Sequence, residues 1–289
     1  MGLFDAAEAA MADLAARVAA LEGGTVEPPV EPELTDSPCL VLWTGDDVDS
    51  LRITGTGRDG PDICINGSTN AHSIPIDGAS VRRCFLQTAG YGIKIGSGAV
   101  AKNIVIADVT TRDCGDGILI AQVEDSLFER CDIEGGGTGH DHGVYLERGC
   151  HRLTWRNCRI KTCGEGYGLH CYSESDLVTD NLLFEDCVID GGPHGQPLVI
   201  ANEFAHITFR RCTFITSGGV CVRLGGCHDI LFEDCDAEGG YAMIGTYANY
   251  WCSNVTVRRG SYRGPVILSP VTNEQCINNF VTEGVQVMA

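Results

Sequence analysis

The sequence predicts an all-β chain, a right-handed parallel β-helix solenoid, with a short N-terminal coiled-coil helix ahead of it. Three observations carry that expectation. An eight-residue phrase, LTWRNCRI at 153–160, returns as LLFEDCVI at 182–189, ITFRRCTF at 207–214 and ILFEDCDA at 230–237. Weaker copies stand at 79–86, 104–111, 126–133 and 255–262. Its cysteine slot holds Cys84, Val109, Cys131, Cys158, Cys187, Cys212, Cys235 and Gly260, at intervals of 22–29 residues. Three residues earlier runs an unbroken apolar column: Val81, Ile106, Phe128, Trp155, Phe184, Phe209, Phe232 and Val257. Self-similarity at that period marks a solenoid. The alternating runs and the Gly, Asp and Asn between them mark strands and turns, not the 3.6-residue pattern of helical repeats.

From the N-terminus, Phe4, Ala7, Met11, Leu14, Val18 and Leu21 form an a/d seam, and most other positions are alanine. Residues 1–24 are therefore expected to be a helical oligomerisation stem, since so short a helix needs a partner. Capping the open end of the solenoid is the other use for such a helix. Residues 25–38, rich in proline, read as a semi-rigid linker, and 39–289 as the β-helix domain. Runs at 40–43, 51–54 and 63–65 read as strands of irregular first coils, before the register becomes clear near Ala79. A second strand follows each phrase, entered by Gly92, Gly117, Gly143, Gly168 and Gly219. The tail from 264 loses the phrase and is expected to close or shield the last coil.

The phrase resembles the repeat of β-helix proteins such as pectate lyases, alginate epimerases and phage tailspikes. Asp116-Gly117-Ile118 and His142-Gly143-Val144 look like that family's strand-entry motif. The resemblance covers about residue 40 to the C-terminus and implies the fold; one repeat serves many chemistries. Within it, helix stem and proline spacer are similar to those of phage fibres and spikes, proteins made in the host cytoplasm and released by lysis.

Composition narrows the partners. With 39 acidic against 20 basic residues the net charge is −19, which argues against nucleic acid and against an anionic membrane surface. No run of 18 apolar residues is present to span a bilayer. Sixteen cysteines invite a disulfide framework, yet Cys84, Cys131, Cys158, Cys187, Cys212 and Cys235 share one slot and Cys150, Cys227 and Cys252 another. Repeated slots fit small buried thiols stacked coil on coil, made in a reducing cytoplasm. No CxxC pair points to zinc, and no metal or cofactor is expected.

Candidate functional residues are those the repeat does not need. Two positions past each strand-entry glycine should face outward: Lys94, Leu119, Tyr145, His170 and Cys221. Around them the coils at 113–120, 139–147 and 164–172 gather Asp116, His140, Asp141, His142, Tyr145, Glu147, Glu165, Tyr167, His170 and Tyr172. The next coil adds His194, Gln196, Asn202 and Glu203. Carboxylates and imidazoles hydrogen-bond sugar hydroxyls, tyrosines cover their apolar faces, and a His/Tyr pair can exchange protons at a uronic acid C5. In a catalytic reading His142 or His170 carries the proton, Tyr145 faces it, and Asp141 or Glu165 orients the imidazole. Asp116, His140, Glu147, Tyr167, Tyr172, His194, Gln196 and Glu203 would then bind the ligand. His140 and His142 alternate about Asp141 and, on a strand, would share a face. The cluster is loosely similar to the His, Asp and Tyr set of alginate epimerases and lyases. It has Gly139-His140-Asp141-His142 where they have Asp-Pro-His-Glu, and only Lys94 and Arg148 as nearby cations.

Two function classes remain open beside a purely structural β-helix. The favoured one is a phage virion protein, tailspike, fibre or capsid decoration. It would present a homotrimeric β-helix to other phage structural proteins or to a host surface glycan. The alternative is a polysaccharide lyase, C5-epimerase or hydrolase acting on an extracellular glycan.

Overall fold

A computed structural model describes residues 33–35, 39–56, 60–65, 75–136, 141–173, 175–240, 242–247, 251–263, 266 and 277–288. The expected stem at 1–24, most of the 25–38 linker and His140 lie outside the described residues. The rest is a parallel β-solenoid. Each regular coil has three faces. The first two share a fifteen-stranded sheet and the third forms an eleven-stranded sheet, with every neighbour parallel and one coil apart in sequence. Eight regular turns carry the slots from Cys84 to Gly260, with irregular coils on both sides. One begins inside the expected linker, where Glu33–Thr35 pairs with Arg52–Thr54. At the other end Ile277–Glu283 and Gln286–Met288 add one more strand to each sheet. Among the described residues, no helix is long and apolar enough to cross a membrane.

The recurring phrase folds as the second face, one corner and the third face. Its first half is strand, as in His151–Arg156 and Thr179–Glu185. Then a single left-handed residue turns the chain: Asp108, Arg130, Asn157, Asp186, Arg211, Asp234 and Arg259 all have φ of 52–57°. A second column of such residues, Asn103, Asp125, Arg152, Asn181, His206, Asp229 and Asn254, turns the first face into the second. Asn and Asp tolerate this conformation best among side-chain-bearing residues. Arginine is held there by the coil beside it: Arg130 grips Asp108 with two hydrogen bonds of 2.8 and 2.9 Å, and Arg211 grips Asp186 at 2.7 and 2.8 Å.

The apolar column points inward, as its spacing predicts. Phe128, Trp155, Phe184, Phe209 and Phe232 are fully buried. Their rings lie within 13° of parallel, with centroids 3.9, 5.9, 4.8 and 5.2 Å apart in sequence order. Immediately after each corner the thiol slot is also buried. Cys158 donates to the Phe128 carbonyl at 3.5 Å, Cys212 to Phe184 at 3.4 Å and Cys235 to Phe209 at 3.4 Å. Cysteine suits the slot because it is small, apolar and a weak donor. Burial pushes the Cys84 thiol up to about 11, so that thiol stays protonated near neutral pH.

Outside the same strands a charge ladder alternates from coil to coil: Glu129, Arg156, Glu185, Arg210, Glu233, Arg258 and Glu283 are register partners. Arg210 spans Glu185 and Glu233 at 3.6 and 3.0 Å, and Arg258 spans Glu233 and Glu283 at 3.4 and 2.8 Å. Exposed ion pairs contribute little singly; the ladder's shared partners make it a network.

One register expectation fails. Val199 pairs with Arg223, and Leu198 with Val222, so Arg223 takes the outward position while Cys221 is buried. The GVCV run begins two residues early relative to GLHC, and counting from its glycine misplaces the coil.

Phe184→Ala should destabilise the solenoid by about 3–5 kcal/mol, since it empties the middle of the ring column. Urea denaturation followed by circular dichroism measures it, and a loss under about 1 kcal/mol would mean that the column is not packed.

Candidate functional site

The first face carries the site because its outward positions stack into one row: Lys94, Leu119, Tyr145, His170, Val199 and Arg223. In two coils of this row the sheet is interrupted. Val144–Leu146 and His151–Arg156 are separate strands, as are Tyr167–Tyr172 and Thr179–Glu185, whereas Ile118–Glu129 and Gln196–Arg210 run through the corner. Beside these breaks lies a shallow pocket lined by Tyr145, Glu147, Arg148, Tyr172 and Ser173.

Beside it lies a pair of imidazoles. The Tyr167 backbone N–H donates to His142 Nδ1 at 3.0 Å, and His142 Nε2 lies 2.6 Å from His170 Nδ1. A backbone amide can only donate, so His142 Nδ1 carries no proton. Its proton is then on Nε2 and is given to His170 Nδ1, which leaves the second proton of the pair on His170 Nε2. That atom is buried without a hydrogen-bond partner among the described residues. Charging His170 would place a proton on both nitrogens that face one another. Burial and then His142 accordingly lower the His170 pKa to about 2. Gly166 permits the arrangement: a Cβ there would stand 2.0 Å from the Asp141 carbonyl and 2.7 Å from His142 Nδ1.

Rings close over the pair. Tyr145 stacks on His170 at 4.8 Å and 11°, Tyr172 at 5.5 Å and 27°, and Tyr167 leans on it at 5.0 Å. Their faces are turned on one another, so the row presents ring edges instead of the open aromatic faces expected for covering a sugar. On the neighbouring coil, Asp116 accepts the His142 backbone N–H at 2.6 Å. Burial raises its carboxyl to about 7, against the pull of that hydrogen bond and with help from Asp141 and Glu147. Burial also raises the hydroxyl of Tyr91, with the same three carboxylates adding to it.

The structure thus brings together Asp116, His142, Tyr145, Tyr167, His170 and Tyr172, with Asp141 and Glu147 close enough to act on Asp116. Glu165 and His194 are exposed on turns and Glu203 on the bulge between Ala201 and Phe204. No hydrogen bond or ion pair joins them to the imidazoles among the described residues. The expected orienting carboxylate is replaced by the Tyr167 amide, and the proton carrier expected at His142 or His170 is a neutral pair. Gln196, paired in register with Tyr167, accepts from Arg223 Nε. Sequence reasoning missed Arg223, Tyr91 and Ser173. The first was hidden by the register offset, and the others by a spacing shared with ordinary loop residues.

A family model described as right-handed beta helix region matches residues 39–196. Among curated proteins, the SPbeta prophage-derived uncharacterized protein YorA of Bacillus subtilis (strain 168) is 27% identical over 84 residues, covering 27% of this chain and 14% of its own length. Among solved structures, the periplasmic alginate epimerase AlgG superposes with a TM-score of 0.68 at 11% identity, over 92% of this chain and 65% of that one. The tailspike protein gp49 from Pseudomonas phage LKA1 does so with a TM-score of 0.56 at 15% identity, over 86% and 46%. The chain therefore spans one seventh of the prophage relative's length and less than two thirds of either structure. At these identities the two structural likenesses are of fold.

The titrations of Asp116 and His170 pull stability in opposite directions. Between 3.8 and about 7 folded Asp116 holds a proton that the unfolded chain has lost, so its contribution falls as pH rises through that window. His170 refuses, down to about 2, a proton that the unfolded chain accepts near 6.5, so its contribution falls as pH drops below that value. Urea titrations at a series of pH values should show Asp116→Asn gaining on the wild type from pH 4 to 7. His170→Phe should gain on it from pH 6 downward. Parallel curves for either variant would overturn the corresponding assignment.

Proposed function

We propose, for a chain that belongs to the right-handed β-helix family, a phage virion role: a β-helical attachment or decoration protein whose first face recognises a glycan without cleaving it. The observation that carries the non-catalytic part is the backbone-locked imidazole pair. A general acid or base must reach the proton that it moves and titrate near the working pH. His170 meets neither condition, because its outer nitrogen is buried and its pKa is low. What remains accessible is suited to binding. Glu147, Arg148 and the edges of Tyr145 and Tyr172 line an open, shallow pocket over the buried Ser173, with Lys94 and Arg223 at the two ends of the row. The prophage-derived relative and the tailspike likeness support the virion setting.

A second reading rests on Asp116, whose carboxyl at about 7 has the proton affinity wanted of a general acid or base. It would make the protein a lyase, epimerase or hydrolase, in keeping with the fold likeness to AlgG. Against it stands the burial of Asp116, 6% exposed.

Incubation with a panel of bacterial capsular and cell-wall polysaccharides separates the two. Recognition predicts saturable binding, weakened about tenfold or more by Arg148→Ala as a charge-assisted contact is lost. Product size and uronide absorbance should not change. Turnover abolished by Asp116→Asn would establish the enzyme reading in its place.

The trimer is part of the same proposal, motivated by the seam from Phe4 to Leu21. Light scattering should report a trimer for the full chain. A monomeric full chain would end the stem idea, whereas a trimer that persists in a chain starting at Leu40 would move the interface to the solenoid.

A further inference from the structure

A second set of histidines lies on the corner between the first and second faces, away from the imidazole pair. His206 and Asp229 occupy the left-handed corner positions of successive coils, with φ of 52° and 56°. His228 stands immediately before Asp229, beside Ala205 in the ladder. The two imidazoles turn Nδ1 toward the same carboxylate oxygen, Asp229 Oδ2, at 3.5 Å from His206 and 2.7 Å from His228. Their ring centroids are 5.6 Å apart and nearly perpendicular, at 86°. The other carboxylate oxygen, Oδ1, is held from the next coil by the Asn254 side-chain amide at 2.8 Å. Asn254 is in turn held by Asn279 at 2.8 Å.

We propose that His206, His228 and Asp229 form a binding site for a divalent transition-metal ion of the zinc class. One ligand atom from each residue lies within 4.8 Å of the other two. Around a zinc ion with bonds of about 2.0–2.1 Å, tetrahedral ligands sit roughly 3.3 Å from one another. The His206–Asp229 spacing already has that value to within a few tenths of an ångström, and the 2.7 Å His228–Asp229 contact must open by roughly 0.6 Å to admit an ion. Two imidazoles and one carboxylate suit zinc, nickel, cobalt or copper, and not calcium or magnesium, which take oxygen ligands. Three protein donors on an exposed corner leave the outward coordination position for water or for a donor from another surface.

The backbone provides the organisation that an accidental surface pair lacks. Corner residues are fixed by the solenoid's turn, so His206 and Asp229 are one coil apart whatever their side chains do. The Asn254 amide restrains the carboxylate so that Oδ2 stays turned to the histidines, the supporting role that outer hydrogen bonds play in metal sites. Elsewhere on the solenoid, His151 meets Asp180 at 2.6 Å, but among the described residues no second histidine completes that pair into a metal-ligating group.

The test uses the full chain, stripped with a chelator and titrated calorimetrically with zinc, and with cobalt followed by visible absorption. One equivalent should bind saturably, with cobalt giving ligand-field bands and no thiolate charge transfer. His206→Ala and His228→Ala should each lose more affinity than the ~10–100-fold typical of removing an outer supporting partner. Asn254→Ala should fall within that range, and His151→Ala should bind like the wild type. Circular dichroism of each variant checks folding, which substitutions at this exposed corner should leave intact. Absence of saturable binding, or equal affinity in the His206→Ala/His228→Ala double variant, would overturn the proposal. So would a thiolate charge-transfer band, because the metal would then be held by cysteine.

Discussion

The parallel backbone ladder sets each coil about 4.8 Å above the last, with every residue over its counterpart, and the rest of the molecule follows from that stacking. A residue type chosen once is met by its own neighbour along the axis, so each slot must hold side chains that tolerate being stacked. Flat aromatic rings do, and Phe128, Trp155, Phe184, Phe209 and Phe232 pile face on face. Thiols do, by donating to the carbonyl of the coil beside them. Glycine does where backbones crowd: a Cβ at Gly92, Gly117 or Gly143 would stand 2.6 Å from the carbonyl of the next strand-entry glycine. Charges do only in alternation, which is what the Glu129-to-Glu283 ladder supplies.

The same stacking limits what the first face can do chemically. Tyr145 and His170 are consecutive members of an outward row, and the coil spacing is close to the stacking distance of aromatic rings. Their faces are therefore used on each other, and the Nε2 atom of the half-buried imidazole between Tyr145 and Tyr172 is shut off from solvent though its strand position points outward. The Tyr167 amide, which the ladder leaves to a side chain, fixes the tautomer of His142 and through it that of His170. A surface histidine has thereby become a neutral, enclosed hydrogen-bond donor, a state decided by one backbone N–H.

Much of this was legible in the sequence, because stacking makes the period visible. The recurring phrase located the second face, the corner and the third face, and the cysteine slot and apolar column pointed inward as their spacing implied. The alternation of Glu and Arg just before the corner was equally present in FERC, WRNC, FEDC, FRRC, FEDC and VRRG, but a search for similarity passes over a column whose members are opposites. Of the site, the clustering of Asp116, His142, Tyr145, Tyr167, His170 and Tyr172 could be read from the strand-entry glycines. The burial of Asp116 and His142 and the covering of His170 by tyrosine rings could not, since they depend on neighbouring coils. Arg223 was hidden because two residues were gained between coils, and a count from Gly219 lands on the buried Cys221. His206, His228 and Asp229 escaped because His206 and Asp229 occupy corner positions, where the sequence pattern carries no apolar column to index them.

The charge ladder has a consequence for how such a chain can change length. Its chemical repeat is one coil, but its electrical repeat is two, since Glu185 lies between Arg156 and Arg210, and Arg210 between Glu185 and Glu233. Excising a single coil would set arginine on arginine or glutamate on glutamate at the splice, a repulsion running along the edge of a newly joined strand pair. Excising two restores opposite signs. The solenoid is thus one whose apolar interior accepts growth or loss by single coils while its surface accepts them in pairs, a parity rule written in the residues that the core does not touch.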